Sequence, residues 1–186
     1  MGNKLPTLRI MMNIKPLPLD LKLITLTSHT DNRGEVMELW RNEWLPERQF
    51  VQENISVSHH GVIRGLHFQR KNPQGKLISV LSGKICDIAL DIRPNSATFG
   101  TYHRQILDSQ TPQLLWIPPD FAHGFSVLSE KAVVLYKMTD YYQPQDQATI
   151  RWDDEQLNID WGITTPIVSD KDQNGINWKD YQKCVF

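Results

Sequence analysis

The most regular hydrophobic pattern in the chain runs from Ile85 to Ile92. Its alternate positions form an apolar set, Cys86, Ile88, Leu90 and Ile92, and a second set that contains Asp87 and Asp91. Successive side chains of a β-strand point to opposite faces, so this period of two predicts a half-buried strand.

Three further segments are also predicted to be strands. Two are short apolar runs, Leu77 to Leu81 and Leu114 to Ile117, the second of which ends at Pro118-Pro119. The third, Ala132 to Thr139, alternates, with Ala132, Val134, Tyr136 and Met138 on one face. Ser82-Gly83 separates the first segment from the strand at Ile85, which predicts a hairpin. Many short strands between turn residues are typical of a sandwich or barrel, and the jelly roll belongs to that class.

Helical periodicity is scarce. Val36 to Trp44 and the last fifteen residues are the only weak candidates for helices. We therefore predict one all-β domain over residues 1–186, a double-sheet sandwich or barrel with a few short helical segments. Residues 1–12 are expected to form a flexible N-terminal extension.

Composition places the chain among ordinary soluble proteins. It has 186 residues, 40% of them apolar, and 20 basic against 21 acidic side chains give a formal charge of −1. This balance argues against a nucleic-acid partner. No apolar run reaches the roughly 18 residues that span a bilayer, so no membrane association is expected. Two cysteines do not make a disulfide framework, and no signal peptide is apparent, so the cytoplasm is the default location.

The distribution of charge is more informative than its sum. Between Asn54 and Cys86 there is no carboxylate, and the segment contains eight basic or histidine side chains: His59, His60, Arg64, His67, Arg70, Lys71, Lys76 and Lys84. Two interpretations remain open. The segment is a solvated basic face, or it forms the wall of a pocket for an anion such as a phosphate.

Two of the six histidines lie in an informative context. His67 follows Arg64-Gly65-Leu66 in an apolar segment, and His123 lies between Phe121 and Phe125. Imidazole suits proton transfer near neutral pH, but a histidine among apolar residues is also often a packed core residue. The other four are interpreted as surface or turn residues.

Several motifs resemble the signature of the dTDP-4-dehydrorhamnose 3,5-epimerase family. Their order and spacing match from about Asp31 to Asp172, some three quarters of the chain. The motifs are Gly61–Gln69, Pro73–Leu77, Leu115–Pro119, Phe121–Phe125, Leu135–Lys137, Asp140–Tyr142, Ile150–Trp152 and Ile159–Trp161.

The resemblance implies a cupin jelly roll, a homodimer, and a site with neither metal nor cofactor. It implies epimerisation at C3 and C5 of a nucleoside-diphosphate 4-keto-6-deoxyhexose. His67 would be the general base, Asp172 its orienting partner, Tyr136 the acid, and Lys76 the cation that meets the developing oxyanion. The remaining matches are contacts to the nucleotide and sugar: Arg33, Glu38, Gln52, Asn54, Arg64, His123, Tyr141 and Lys171.

The chemistry of the reaction fits these residue types. Removal of a proton next to a ketone leaves an enolate, which requires a base of pKa near 7 and a fixed cation at the oxygen. Inversion then requires a proton donor on the opposite face of the ring, and a tyrosine hydroxyl is suitable. A carboxylate behind the imidazole fixes its tautomer.

The spacing of Arg64 and His67 raises a difficulty. Residues three apart in a regular strand point to opposite faces. Because Gly65 lies between them, we predict a β-bulge or a comparable kink that turns both side chains to one side.

The chain also departs from the family pattern at Val36, Asp120 and Gln147 and in the tail from Gln173 to Phe186. The nucleotide and sugar therefore stay open, as does the alternative of a 3-epimerase or an epimerase of a different nucleotide-linked ketosugar. Two remote alternatives are a metal-dependent cupin enzyme and a non-catalytic sugar-binding module.

Overall fold

The computed structural model describes residues 13–185, which fold into fourteen strands and two α-helices. The strands are β1 (Asn13–Pro16), β2 (Lys22–Thr25), β3 (Ser28–Asp31), β4 (Gly34–Met37), β5 (Gln52–His59), β6 (Val62–Gln69), β7 (Lys76–Ser82), β8 (Lys84–Asp91), β9 (Tyr102–Asp108), β10 (Gln113–Ile117), β11 (Phe121–Val127), β12 (Lys131–Met138), β13 (Gln147–Thr149) and β14 (Ile167–Val168). The helices are α1 (Asp170–Gln173) and α2 (Trp178–Val185), and short 3-10 turns span Pro18–Asp20 and Asn42–Trp44.

Two large sheets form the body of the molecule. The first sheet has the order β1-β2-β10-β7-β12-β5, and the second has the order β13-β6-β11-β8-β9 with β14 parallel to β6. Strands β3 and β4 form a separate two-stranded unit, which we call the surface hairpin. The predicted all-β class, with few and short helices, is confirmed.

The main core lies between the inner faces of the two sheets. Ile78 and Val134 of the first sheet pack in one cluster with Ile85 and Phe125 of the second. A second cluster covers the outer face of the second sheet, where Phe68 meets Trp178 and Tyr181 of α2. Each apolar side chain in these clusters stabilises the fold through the hydrophobic effect. Because the two clusters cover both of its faces, the second sheet is the buried layer of the fold.

Strand β8 is buried on both faces, so the prediction of a half-buried strand is wrong. The alternation itself is real: Cys86, Ile88, Leu90 and Ile92 join the outer cluster, while Ile85 and Ala89 join the inner one. Asp87 and Asp91 lie on the inner side and are both 0% exposed. Two polar residues in the pattern therefore mark buried hydrogen-bonding sites rather than a solvated face.

The turn at Ser82-Gly83 is not a hairpin. Strand β7 pairs with β10 and β12 in the first sheet, and β8 pairs with β9 and β11 in the second. The turn therefore passes the chain from one sheet to the other. Gly83 has a φ of 84°, and a Cβ there would lie 2.2 Å from the Lys131 carbonyl oxygen, which requires glycine at this crossing.

The helical candidates have mixed outcomes. The segment from Val36 to Trp44 contains the end of β4 and one 3-10 turn, so no α-helix forms there. The last fifteen residues contain the second half of α1 and all of α2, which confirms the second candidate. The predicted flexible extension at residues 1–12 lies outside the described residues. Along residues 13–185, no helix is long and apolar enough to cross a membrane.

Candidate active site

A bulge in β6 brings Arg64 and His67 to the same side. Arg64 lies opposite Phe125 of β11 and His67 opposite His123, so two residues of β6 face the single residue Gly124. Gly65 has a φ of 133°, and a Cβ there would lie 2.5 Å from the Cα of Gly124. Only glycine fits this close approach, and the predicted bulge is confirmed.

His67 forms a short hydrogen bond to Asp172. Its Nε2 lies 2.6 Å from Asp172 Oδ1, although the two residues are 105 positions apart in the sequence. Asp172 is buried on α1, where the Gly65 N–H donates to its Oδ2 at 3.3 Å. Burial alone would raise the pKa of Asp172, but the hydrogen bonds from His67, Gly65 and Ser169 outweigh it and hold that pKa below its ordinary value.

The ionised carboxylate fixes the tautomer of His67. A carboxylate only accepts hydrogen bonds, so the proton between the two groups belongs to His67 Nε2 and the lone pair to Nδ1. The His67 side chain remains 28% exposed, whereas Asp172 is shielded behind it. This is the arrangement of a general base with an orienting partner.

Lys76 is the buried cation of the site. Its Nζ donates to the His67 carbonyl oxygen at 3.2 Å, and the residue is 9% exposed. Burial lowers the pKa of Lys76 to about 8, against the opposing attraction of Asp87. The ammonium therefore persists at neutral pH in surroundings where its field is weakly screened.

A second histidine–carboxylate pair lies next to the first. His123 Nε2 is 2.8 Å from Asp87 Oδ2. Burial lowers the pKa of His123, with Asp87 acting in the opposite direction. The alternation in β8 predicted a strand-face position for Asp87 and no role in the site. The signal that could have identified it is a carboxylate in a mostly apolar strand.

These groups surround one cavity of about 260 Å³ between the sheets. Six of the predicted site residues line it, and they come from both sheets: Asn54, Arg64, His67, Lys76, His123 and Tyr136. The cavity lies at the small end of ligand pockets, so it suits one sugar ring rather than a whole nucleotide sugar. The pocket-wall interpretation of the basic segment holds for Arg64, His67 and Lys76, while Arg70, Lys71 and Lys84 are exposed outside the cavity.

The candidate base and acid lie on facing sheets. His67 is on β6 of the second sheet, and Tyr136 is on β12 of the first, where it is the neighbour of Asn54 on β5. The Arg64 guanidinium is held by a hydrogen bond from its Nε to Ser58 Oγ at 2.9 Å. An imidazole from one sheet and a phenol from the other thus line the same cavity.

Five predicted contacts do not line the cavity. Gln52 lies just behind it and donates to Asn54 Oδ1 at 3.1 Å. Lys171 contacts Gln147, which does line it. The other three are on the surface: Arg33 and Glu38 form ion pairs with Asp31 and Arg41, and Tyr141 is 59% exposed.

Tyr142, rather than Tyr141, lines the cavity. Its O–H donates to Gln147 Oε1 at 2.6 Å, and its backbone N–H donates to Gln52 Oε1 at 2.8 Å. The two tyrosines lie in the irregular segment between β12 and β13, and only Tyr142 of the two reaches the cavity. The sequence alone does not indicate which of the two tyrosine side chains points into the cavity.

Other lining residues were missed by the sequence analysis. They are Phe68, Gln69, Gln74, Phe125, Met138, Tyr142 and Gln147. Met138 could have been predicted, because it shares the predicted face of β12 with Tyr136. Nothing in the sequence indicated that the glutamine side chains line the cavity. Within residues 13–185, no group of three or more His, Cys, Asp or Glu side chains is placed to hold a metal ion.

Comparison with known proteins identifies the family. The sequence model of the dTDP-4-dehydrorhamnose 3,5-epimerase family matches residues 17–180. The chain belongs to this family. The similarity is carried by most of the chain, and the family assignment made from the motifs is confirmed.

Individual epimerases agree with this assignment. The dTDP-4-dehydrorhamnose 3,5-epimerase of Neisseria gonorrhoeae is 45% identical over 172 residues, which are 90% of this chain and 52% of that protein. The chain thus spans about half the length of that relative. The enzyme of the same name from Methanothermobacter thermautotrophicus is 43% identical over 81% of this chain and 84% of its own.

The solved structures establish the fold. A dTDP-6-deoxy-D-glucose-3,5-epimerase from Legionella pneumophila, crystallised with dTDP-4-keto-L-rhamnose, has a TM-score of 0.85 and 43% identity; the match covers 88% of this chain and 91% of that one. The protein is therefore a cupin jelly roll and an epimerase of the isomerase class, as the motifs predicted.

Proposed function

We propose that the protein converts dTDP-4-dehydro-6-deoxy-D-glucose to dTDP-4-dehydro-L-rhamnose by inverting C3 and C5 of the sugar. The observation that carries the proposal is that one cavity is lined by His67, which is paired with Asp172, and by Tyr136 from the other sheet. Inversion requires a proton to leave one face of the ring and another to arrive at the opposite face. The two facing sheets supply one group for each side.

His67 is the general base in this mechanism. Its Nδ1 removes the proton from the carbon next to the ketone, and the C–H electron pair becomes the enolate double bond. The negative charge moves to the carbonyl oxygen. Asp172 stabilises the imidazolium that forms, because its carboxylate accepts the Nε2–H.

Lys76 stabilises the enolate oxygen. It is the buried ammonium among the cavity residues, and a fixed charge in such surroundings acts strongly on a developing oxyanion. Arg64, which also lines the cavity, holds the sugar and supports the same charge.

Tyr136 completes the inversion. Its O–H donates a proton to the enolate carbon from the side opposite His67, and solvent restores the protonation of both residues. The same sequence of steps then acts at the second carbon.

The remaining predicted contacts bind the nucleotide and the sugar. Asn54 and His123 line the cavity, and Gln52 and Lys171 lie one contact behind it through Asn54 and Gln147. Arg33, Glu38 and Tyr141 are at the surface, where the diphosphate and base of a substrate extending from the small cavity would lie. We retain all of them as binding residues of this proposal.

We further propose that the protein works as a cytoplasmic homodimer. Strand β5 is the edge of the first sheet and exposes Ile55 at 61% and Val57 at 51%. Exposed apolar residues on an edge strand favour pairing with a second chain. Light scattering on the purified protein should give twice the monomer mass, and a monomer at micromolar concentration would contradict this.

The decisive experiment is NMR of the product formed from dTDP-4-keto-6-deoxyglucose in deuterated water. Deuterium and inversion at both C3 and C5 support the proposal. Deuterium at C3 alone identifies a 3-epimerase, and no exchange with retained binding identifies a sugar-binding module. Activity lost with a chelator and restored by one divalent metal would identify a metal-dependent cupin enzyme.

A further inference from the structure

Asp87 is a buried carboxylate that the proposed reaction does not yet use. It lies on β8 opposite Phe125 of β11, on the inner side of the second sheet, and it is 0% exposed. Transfer of a charged group to such surroundings is unfavourable unless partners compensate for the lost water. Each of its two carboxylate oxygens is therefore expected to have a hydrogen-bond partner.

Only one oxygen of Asp87 has a hydrogen-bond partner. Oδ2 is 2.8 Å from His123 Nε2, whereas Oδ1 is buried and, among the described residues, has no hydrogen-bond partner. The great majority of buried polar atoms in proteins are hydrogen bonded, so each exception calls for an explanation.

Asp91 shows how the same strand satisfies a structural carboxylate. It is on the same side of β8 and is also 0% exposed. Its oxygens accept hydrogen bonds from Arg93, Ser96 and Thr98. Asp87 has no such set of donors; instead it faces the cavity residues His123 and Lys76.

We propose that Asp87 is a positioning residue: it holds His123 as the Nε2–H tautomer, so that His123 Nδ1 accepts a hydrogen bond from a hydroxyl group of the bound sugar. This inference rests on the proposed function, because it takes a sugar to be the occupant of the cavity. A carboxylate has no proton to donate, so the proton of the Asp87–His123 bond must reside on Nε2. The lone pair is then on Nδ1.

The charges around the pair support this assignment. Burial is the largest cause of the lowered pKa of His123, and Asp87 opposes it. Lys76 of β7 and His67 of β6 also face His123 and lower its pKa further. Four other ionisable groups complete the surroundings of the cavity: Arg64 of β6, Tyr136 of β12, Tyr142, and Asp172 behind His67. Lys76 and Arg64 donate hydrogen bonds only, so a neutral imidazole supplies the acceptor that a sugar hydroxyl needs.

The charge of Asp87 also acts on Lys76. Burial lowers the pKa of Lys76 to about 8, and the attraction of Asp87 opposes that effect, so the carboxylate favours the ammonium form. Lys76 Nζ donates one hydrogen bond to the His67 carbonyl oxygen, and an ammonium has three N–H groups, so others remain for the enolate.

The test compares Asp87→Asn with Asp91→Asn by ¹⁵N-histidine NMR and kinetics. In the wild type, the His123 spectrum should show a protonated Nε2 and an unprotonated Nδ1. Adding dTDP-glucose, which has a hydroxyl in place of the ketone and is not turned over, should shift the Nδ1 resonance. Adding dTDP without a sugar should leave it unchanged.

Asp87→Asn should mix the two tautomers and lower kcat by about tenfold or more, as expected when a histidine loses its orienting carboxylate. Its affinity for dTDP should be unchanged, and activity should decline at lower pH than in the wild type because Lys76 loses its attracting charge. Asp91→Asn should lower the melting temperature and leave the His123 spectrum and kcat as they are.

Three results would overturn the inference. These are an Nδ1–H tautomer or a doubly protonated His123 in the wild type, an equal response to dTDP and dTDP-glucose, and an Asp87→Asn variant that changes only in melting temperature. Failure of the proposed function would look different. In that case the wild type would not epimerise the ketosugar, while the tautomer measurement would still report on Asp87 and His123.

Discussion

The cavity and the surface hairpin both contain charged residues that the sequence assigns to the site, but they hold charge in opposite ways. In the cavity, Lys76 is buried and its pKa falls to about 8. On the hairpin, the Arg33 side chain is 85% exposed, and its hydrogen bonds to Asp31 raise its pKa. One cation has lost its water and the other has kept it.

The difference indicates what each region can contribute. A charge fixed in a dry cavity acts on a developing oxyanion with little screening, so it changes the rate of the chemical step. An exposed charge is screened by water and salt and contributes little beyond attraction and contact. Substitutions in the cavity should therefore affect kcat, and substitutions on the hairpin should affect binding.

The largest effect is expected for His67→Asn. His123, the other imidazole of the cavity, is assigned to a sugar hydroxyl, so without His67 no base is placed at the reacting carbon. Deuterium should therefore not enter C3 or C5, and turnover should fall by about 10²- to 10⁴-fold. Exchange is measured by NMR in deuterated water and folding by thermal melting. His103→Asn, a histidine of β9 outside the cavity lining, is the control. Normal exchange in a folded His67→Asn variant would remove His67 from the mechanism.

Lys76→Ala should have the next largest effect. Loss of the buried ammonium should lower kcat by about 10²-fold, the usual loss when an oxyanion-stabilising group is removed. Lys84→Ala, at an exposed lysine that pairs with Asp108, should leave kcat unchanged. Near-wild-type turnover in the Lys76 variant would contradict its assignment.

The pH profile of the wild type tests the same residue. Burial lowers the pKa of Lys76 to about 8, so the ammonium is charged below that pH and neutral above it. Turnover should therefore decline as pH rises through about 8. A profile that stays level to pH 10 would show that the charge of Lys76 is not required.

Tyr136→Phe should separate exchange from inversion. The ring and its packing remain, so the enolate still forms at His67, but reprotonation from the opposite face becomes slow. Deuterium should enter the ketosugar while the inverted product accumulates more slowly than in the wild type. Tyr102→Phe, on β9, removes a hydroxyl outside the cavity lining and should be silent. Inversion at the wild-type rate would show that Tyr136 is not the acid.

The sequence predicted local structure better than the pairing between strands. A period of two identified β8 and β12, because each strand face has its own neighbours, and short apolar runs identified β7 and β10. The turn at Ser82-Gly83 has hairpin composition yet connects the two sheets, because turn residues do not specify which strand comes alongside. Burial of Asp87 and Asp91 was also hidden, because polar residues in a period of two indicate a solvated face equally well.

The candidate site depended on the resemblance for a similar reason. Residue chemistry identified His67 as a possible base, but its partner Asp172 lies 105 positions away and only the fold joins them. The bulge at Gly65 was predictable, since Arg64 and His67 cannot share a face of a regular strand. The choice between Tyr141 and Tyr142 was not predictable, because it depends on how the irregular segment between β12 and β13 meets the cavity wall.

The smallest effect is expected for Arg33→Ala on the surface hairpin. Arg33 is ion-paired with Asp31 and separated from the cavity, so its removal should leave kcat and the pattern of exchange unchanged. KM should rise by no more than about tenfold, because uniform binding is lost and the contact is exposed to solvent. Arg151→Ala is the matched control, since Arg151 forms the same kind of exposed ion pair with Asp153 and is not a binding candidate. A large fall in kcat for Arg33→Ala would contradict the division between cavity and hairpin. Identical kinetics for the two variants would instead remove Arg33 from the nucleotide contacts while leaving the cavity chemistry intact.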